Sequence, residues 1–235
     1  MGKVPMKKEE VCALIEKIGV IPAIRVSSAE EARFAAEAVN RGGIPIVEIT
    51  MTVPNACEVM AQLVSSHPKM VVGAGTVLTT DIARLCLDSG ASFITAPSLN
   101  PKIVEFAAKE NIAVLPGALT PTEVVTAWEA GADFVKVFPC SLVGGERYIK
   151  ALKTSLPEIR LIAAGGVNQM TAEDFIVSGA SALGVGTELI PTEALKRKQA
   201  KRIQELALRF REFVKEARAR ITPPSSAIPE KGSVR

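Results

Sequence analysis

The chain has 235 residues and a net charge of +3, with 48% apolar and 23% charged residues, which suits one α/β domain with a substantial core. So small a positive charge gives no electrostatic reason to invoke nucleic acid or an anionic membrane, and no apolar run is long enough to cross a bilayer. Cys12, Cys57, Cys86 and Cys140 have no C-x-x-C spacing, which argues against a zinc site or a disulfide framework and fits a reducing cytoplasm.

The first segment, MGKVPMKKEEVCALIEKIG, reads as an amphipathic helix over about 6–18. It lacks the apolar core and cleavage site of a signal peptide, and no Ser or Thr follows the MG start at the spacing that myristoylation needs. Eight short runs rich in Val and Ile then recur, each followed by a helical stretch: 20–26, 45–50, 70–75, 92–97, 112–117, 133–138, 160–165 and 182–186. Ser28 with Glu31 forms a capping-box pattern at one helix start, and Thr120-Pro121 and Thr171 open two others. Gly closes most of the helices, in NRGG (40–43), DSGA (88–91), EAGA (129–132) and VSGA (177–180), where a left-handed residue turns the chain into the next strand. Eight such units predict a (β/α)8 TIM barrel with an extra N-terminal helix, in one domain over 1–221. A doubly wound sheet is the alternative, but RVSSAEEA has no glycine fingerprint after the first strand. The last helix, about 192–220, carries Ile203, Leu206, Ala207, Phe210, Phe213, Val214 and Ala217 at helical spacing and is expected to dock on the barrel. Within it, KRKQAKR (196–202) reads as a solvated face balanced by Glu205, Glu212 and Glu216. The Pro/Ser-rich end, 222–235, reads as a disordered tail.

Barrel strands are buried on both faces, so a charge within one needs a reason. Arg25, Glu48 and Lys136 are three such charges. Alternation puts Lys136 on a face with Phe134 and Phe138, and Glu48 on a face with Ile46 and Thr50, which turns both charges into the barrel. Both lie toward the C-terminal ends of their strands, where barrel active sites are built. A lysine withdrawn from water is biased toward the free amine, a nucleophile for carbonyl carbon that forms a Schiff base. Glu48 could move protons beside it, and Arg25 could hold a carboxylate by two hydrogen bonds. A structural Lys–Glu–Arg ion network is the competing reading, and such networks seldom stabilise more than apolar packing would. Gly165-Gly166 after the seventh strand and Gly186-Thr187 after the eighth could cradle a phosphate with backbone N–H groups and the Thr187 hydroxyl.

With those residues in view, the chain resembles the 2-keto-3-deoxy-6-phosphogluconate (KDPG) aldolase family, whose members also cleave 4-hydroxy-2-oxoglutarate (KHG). The resemblance runs over about residues 8–190 and rests on IPAIR, VEITMTVPNA, VGAGTVL, ITAPSLNP, VLPGALTPTE, FVKVFP and AAGGVN in order. It implies a class I aldolase, a carbon–carbon lyase that cleaves KDPG to pyruvate and glyceraldehyde 3-phosphate, and KHG to pyruvate and glyoxylate. It implies Lys136 as the Schiff-base lysine and Glu48 as the acid/base. Arg25 and Thr76 would meet the pyruvate portion, Pro97 and Phe138 would be apolar walls, and Gly165, Gly166, Gly186 and Thr187 would hold the phosphate. It further implies a cytoplasmic homotrimer acting on a small phosphorylated keto acid, without metal or cofactor. Thr76 alone would read as a helix cap and Pro97 as a strand terminator.

Two departures stand out. Some members carry Arg shortly after the catalytic Glu, where this chain has Thr52. Many gluconate enzymes have P-T-G-G where this chain has A-A-G-G (163–166), so Ala164 removes a hydroxyl expected near the substrate C4 oxygen. Galactonate-specific relatives carry an apolar residue there, which leaves 2-keto-3-deoxy-6-phosphogalactonate as the alternative substrate. An isomerase or epimerase, or a non-catalytic phosphate-binding barrel, are more distant alternatives. His67 reads as a surface residue at a helix end, Cys140 as a loop cysteine and Trp128 as packing. Lys102, Lys109, Lys150 and Lys153 read as solvated helix residues.

Overall fold

The computed structural model describes residues 6–221; the tail expected at 222–235 lies outside them. The strands are β1 (Val20–Ile24), β2 (Ile46–Thr50), β3 (Val71–Gly75), β4 (Phe93–Thr95), β5 (Ala113–Leu115), β6 (Gly117–Ala118), β7 (Val135–Val137), β8 (Leu161–Ala164) and β9 (Ala182–Val185). All pair in parallel, in the order β5-β4-β3-β2-β1-β9-β8-β7-β6. The two outermost members of that order, β5 and β6, are consecutive segments of one expected strand. Pro116 divides them, because it has no N–H to give to a ladder; its carbonyl still accepts Lys136 N at 2.9 Å. The sheet is therefore a nearly closed barrel of eight β/α units, the TIM-barrel architecture that the repeating pattern predicts.

Around it lie α1 (Lys8–Ile18), α2 (Ala29–Arg41), α3 (Ala56–Ser66), α4 (Thr80–Asp88), α5 (Pro101–Lys109), α6 (Pro121–Glu129), α7 (Glu146–Ser155), α8 (Ala172–Val177), α9 (Thr192–Lys196) and α10 (Ala200–Ile221). The helix starts follow the capping signals in part. Ser28 Oγ accepts from Glu31 N at 3.1 Å, and Thr120 with Glu123 makes a reciprocal box. Thr171 does not cap α8 with its side chain; Asn168 Oδ1 takes the Met170 and Thr171 N–H groups instead, at 2.8 and 3.2 Å. At the other helix ends, Gly43, Gly90, Gly131 and Gly179 all have positive φ, as the Gly C-caps require.

The helix expected over 192–220 is two helices. Lys198, at φ 49°, stands in the left-handed region between α9 and α10, with neither Gly nor Pro to announce the break. α10 buries Ile203, Ala207, Phe210, Val214 and Ala217 and packs on α2 and α8. The basic run before it is balanced by other acids than expected, with Arg197 on Glu193 and Lys198 on Glu30. Lys153 is not solvated: it is half-buried, and its ammonium donates to the carbonyls of Pro157 and Ile159, with burial drawing it below the ordinary lysine range.

At the N-terminal end of the barrel, α1 packs against β1, β5 and β9. Lys8 reaches Asp133 at 2.9 Å and Glu16 reaches Arg160 at 3.4 Å. Asp133 and Arg160 stand just before β7 and β8, so α1 is tied across the strand starts. Arg160 lies over the Phe134 and Trp128 rings, and Trp128 is a packing residue, as expected.

Candidate active site

The C-terminal end of the barrel opens into a cavity of about 390 Å³, within the range of small-molecule sites. Arg25, Glu48, Lys136, Phe138, Gly165, Gly166, Gly186 and Thr187 all line it, so eight of the ten residues singled out in the sequence come together there. Thr76 and Pro97 are not among its lining residues.

Lys136 is the middle residue of β7. Its neighbours Val135 and Val137 are fully buried on the helix side, which turns the ammonium inward. Glu48 is the middle residue of β2, 3% exposed. Lys136 Nζ stands 3.5 Å from Glu48 Oε2, a longer separation than the ~2.7–2.9 Å of a tight charged hydrogen bond. The carboxylate owes its room to Gly75 on the next strand, where a Cβ would sit 2.0 Å from Glu48 Oε1. The Phe138 ring centroid lies 5.8 Å from Lys136 Nζ and forms one wall.

Arg25 lies one residue beyond β1 rather than inside it, and is exposed at the cavity mouth. Its guanidinium donates to Thr76 Oγ1 at 3.4 Å. Thr76 follows β3 with φ 60°, a left-handed conformation that strains a β-branched residue by about 1–3 kcal/mol. Thr76 does not cap α4; Thr79 does, through Ile82 N. Pro97 crosses the start of β6, its carbonyl carbon 2.2 Å from the place a Gly117 Cβ would take. Thr52 turns to Thr50 at 2.8 Å and is outside the lining.

The opposite wall is two turns. Gly165 O accepts from Ser141 N at 3.1 Å and from Cys140 Sγ at 3.4 Å. Burial pushes the Cys140 thiol up to about 11, so it stays a donor. Gly166, at φ 90°, approaches Ser141 so closely that a Cβ would sit 2.1 Å from its Oγ. After β9 the Leu189 and Ile190 N–H groups both donate to Gly186 O at 3.0 Å, which leaves the Thr187 and Glu188 N–H groups at the turn's leading edge, the geometry of an anion site.

Asn168 and Glu188 also line the cavity, and the sequence reading passed over both. Asn directly after G-G-V and just before a helix is an Asx-turn signal that could have pointed to Asn168. The Glu188 carboxylate beside the turn has no such signal. His67 lies outside the cavity at the C-cap of α3, bonded to Ser66 Oγ at 2.8 Å. Among the described residues no three His, Cys, Asp or Glu side chains converge as a metal site, and no helix is long and apolar enough to cross a membrane.

Comparison with known proteins meets this geometry. Residues 11–206 match the family model described as KDPG and KHG aldolase. The chain is 29% identical over 181 residues to a 2-dehydro-3-deoxy-phosphogluconate aldolase of Treponema pallidum, covering 77% of this chain and 86% of that one. It is 32% identical over 200 residues to the 2-dehydro-3-deoxy-6-phosphogalactonate aldolase of Escherichia coli K12, covering 84% and 97%. Among solved structures, the KDPG aldolase of Legionella pneumophila, with pyruvate captured as a covalent carbinolamine, superposes with a TM-score of 0.78 at 28% identity, covering 84% of this chain and 96% of that one.

Proposed function

The chain belongs to the KDPG and KHG aldolase family, an enzyme that cleaves a carbon–carbon bond, and from that premise we propose that it splits 2-keto-3-deoxy-6-phosphogluconate into pyruvate and glyceraldehyde 3-phosphate through a Schiff base on Lys136. The observation that carries this reading is the cavity shared by the Lys136–Glu48 pair and the Gly165-Gly166 and Gly186-Thr187 turns. The Lys136 amine adds to the C2 carbonyl, and loss of water gives the iminium. Glu48 takes the proton of the C4 hydroxyl as the C3–C4 bond breaks and its electron pair flows to the iminium. The aldehyde phosphate leaves; Glu48 returns the proton to C3 of the enamine, and water releases pyruvate. Arg25, steadied by Thr76, holds the C1 carboxylate, Phe138 walls the enamine, and the two turns receive the phosphate. KHG, which has no phosphate, would use the same lysine without the turns.

A second substrate reading rests on Ala164. It lines the cavity beside Gly184, whose added Cβ would lie 3.0 Å from the Ala164 methyl, so neither offers a hydrogen bond to a C4 hydroxyl. That apolar corner favours the galactonate epimer. The family resemblance supports a homotrimer.

The test is borohydride reduction with pyruvate and peptide mapping, followed by kinetics on both epimers. The expected result is a reduced pyruvyl adduct on Lys136 and a higher kcat/KM for one phosphorylated epimer than for KHG. Absence of an adduct on folded protein would overturn the Schiff-base reading in favour of an isomerase or a binding protein. A higher kcat/KM for the galactonate epimer would move the assignment to it.

A further inference from the structure

The buried polar or charged side chains among the described residues are Glu48, Thr50, Thr95 and Asp133. Thr50 Oγ1 donates to Ile24 O at 3.0 Å, Asp133 accepts from Lys8 and from Val114 N, and Glu48 pairs with Lys136. Thr95 is 1% exposed, and its hydroxyl meets no partner. A buried hydroxyl left unbonded is disfavoured, so its surroundings matter.

Along β4, Phe93 and Thr95 point into the barrel and Ile94 points out. The Phe93 ring covers Gly73, where a Cβ would lie 2.2 Å from Phe93 Cζ. Ile94 pairs with Ala74, so one residue further Thr95 stands level with Gly75. The Glu48 carboxylate lies over Gly75. Thr95 and Glu48 therefore flank a strand position with no side chain between them, with neighbouring strands about 4.8 Å apart. Among the described residues no hydrogen bond reaches the Glu48 carboxylate besides the Lys136 contact at 3.5 Å. The register thus brings an unpartnered hydroxyl donor on β4 and the Glu48 carboxylate, which the Lys136 contact leaves with spare lone pairs, to the same position, Gly75, on the strand between them. One water between them would have the two or more polar partners that a buried water needs.

We propose that Thr95 is a positioning residue for the proton transfers of Glu48: its hydroxyl donates to a water that hydrogen-bonds Glu48 Oε1 and holds the carboxylate toward the substrate. This rests on the reading of Lys136 and Glu48 given above. The step it serves is the return of a proton between the Glu48 carboxyl and C3 of the enamine, which in the reverse direction takes a methyl proton from the pyruvate iminium.

That step can be read alone, as exchange of the pyruvate methyl protons in D2O followed by NMR, beside borohydride trapping on Lys136. Thr95→Val keeps the side-chain shape and removes the hydroxyl; Thr95→Ser keeps the hydroxyl. The expected result for Thr95→Val is exchange and cleavage kcat lowered about tenfold or more, with KM and trapping yield unchanged, while Thr95→Ser stays within about threefold of the parent. Thr95→Ala serves the same comparison if the valine variant does not fold. Exchange within about twofold of the parent in the variants lacking the hydroxyl, or equal losses in Thr95→Ser and Thr95→Val, would overturn the proposal. Parent protein that neither traps nor exchanges overturns the Lys136–Glu48 reading itself, and this one with it.

Discussion

The two ends of the barrel each hold a lysine–carboxylate pair, and the pairs differ in what else they touch. At the N-terminal end Lys8, the first residue of α1, meets Asp133 at 2.9 Å, and Asp133 also accepts Val114 N at 3.0 Å. At the C-terminal end Lys136 and Glu48 stand 3.5 Å apart and face a cavity. The first carboxylate is engaged by a cation and an amide, and ties a helix to the strand starts. The second keeps lone pairs, and its lysine keeps protons, for something else to use. A buried ion pair without supporting hydrogen bonds adds little stability, which supports the proposed catalytic role for the loose pair and a structural role for the tight one. This matches the division of a TIM barrel into a catalytic C-terminal face and a stabilising N-terminal face.

Breaking the upper pair should give the largest effect. Lys136→Met combined with Glu48→Gln is expected to lower turnover by at least about 10⁴-fold and to leave the denaturant midpoint equal or higher, since two apolar or neutral groups replace an under-bonded ion pair. A large loss of stability with the activity would make the upper pair structural and collapse the comparison.

The lower pair predicts the reverse. Asp133→Asn removes the charge that holds Lys8 and is expected to lower stability by about 2 kcal/mol, seen in urea unfolding, with kcat/KM within about threefold. A strong loss of activity at unchanged stability would show that the two ends are coupled.

The smallest effect is a pH dependence at the lower end. Burial, and after it the Asp133 carboxylate, push the Cys12 thiol up from 9.0 to about 11. The folded chain keeps a proton that the unfolded chain releases. The stability from the protonated thiol is whole below pH 9 and is lost as pH rises toward 11, at no more than about 1.4 kcal/mol per pH unit. Unfolding under reducing conditions between pH 8 and 10.5 is expected to show a slope that Cys12→Ala flattens by about one proton. An unchanged slope would remove Cys12 from the account of the lower end.

Much of this organisation was legible beforehand, for identifiable reasons. Lys136 stood out because valines on either side left it the one charged residue of a strand, and Glu48 because Val47 and Ile49 did the same. Residues without such contrast did not stand out. Asn168 lies in an irregular segment whose hydrogen bonds carry no periodicity, Thr95 is a common strand residue whose missing partner is visible only in three dimensions, and Lys153 looks like any helix lysine until the chain past α7 folds its carbonyls back onto it. Thr76 and Pro97 came only from the family resemblance; Thr76 reaches the site through Arg25, Pro97 packs on the backbone beside Gly117, and neither lines the cavity.

By itself the sequence determined the eight β/α units, the glycine-closed helix ends and the inward direction of Lys136 and Glu48, because strand alternation and left-handed caps are properties of a few neighbouring residues. Only the tertiary structure decided that the chain turns left-handed at Lys198, and that Thr95 comes level with Gly75, the position the Glu48 carboxylate covers. Those outcomes depend on ladder register and closure between segments far apart in the chain, which no local pattern encodes.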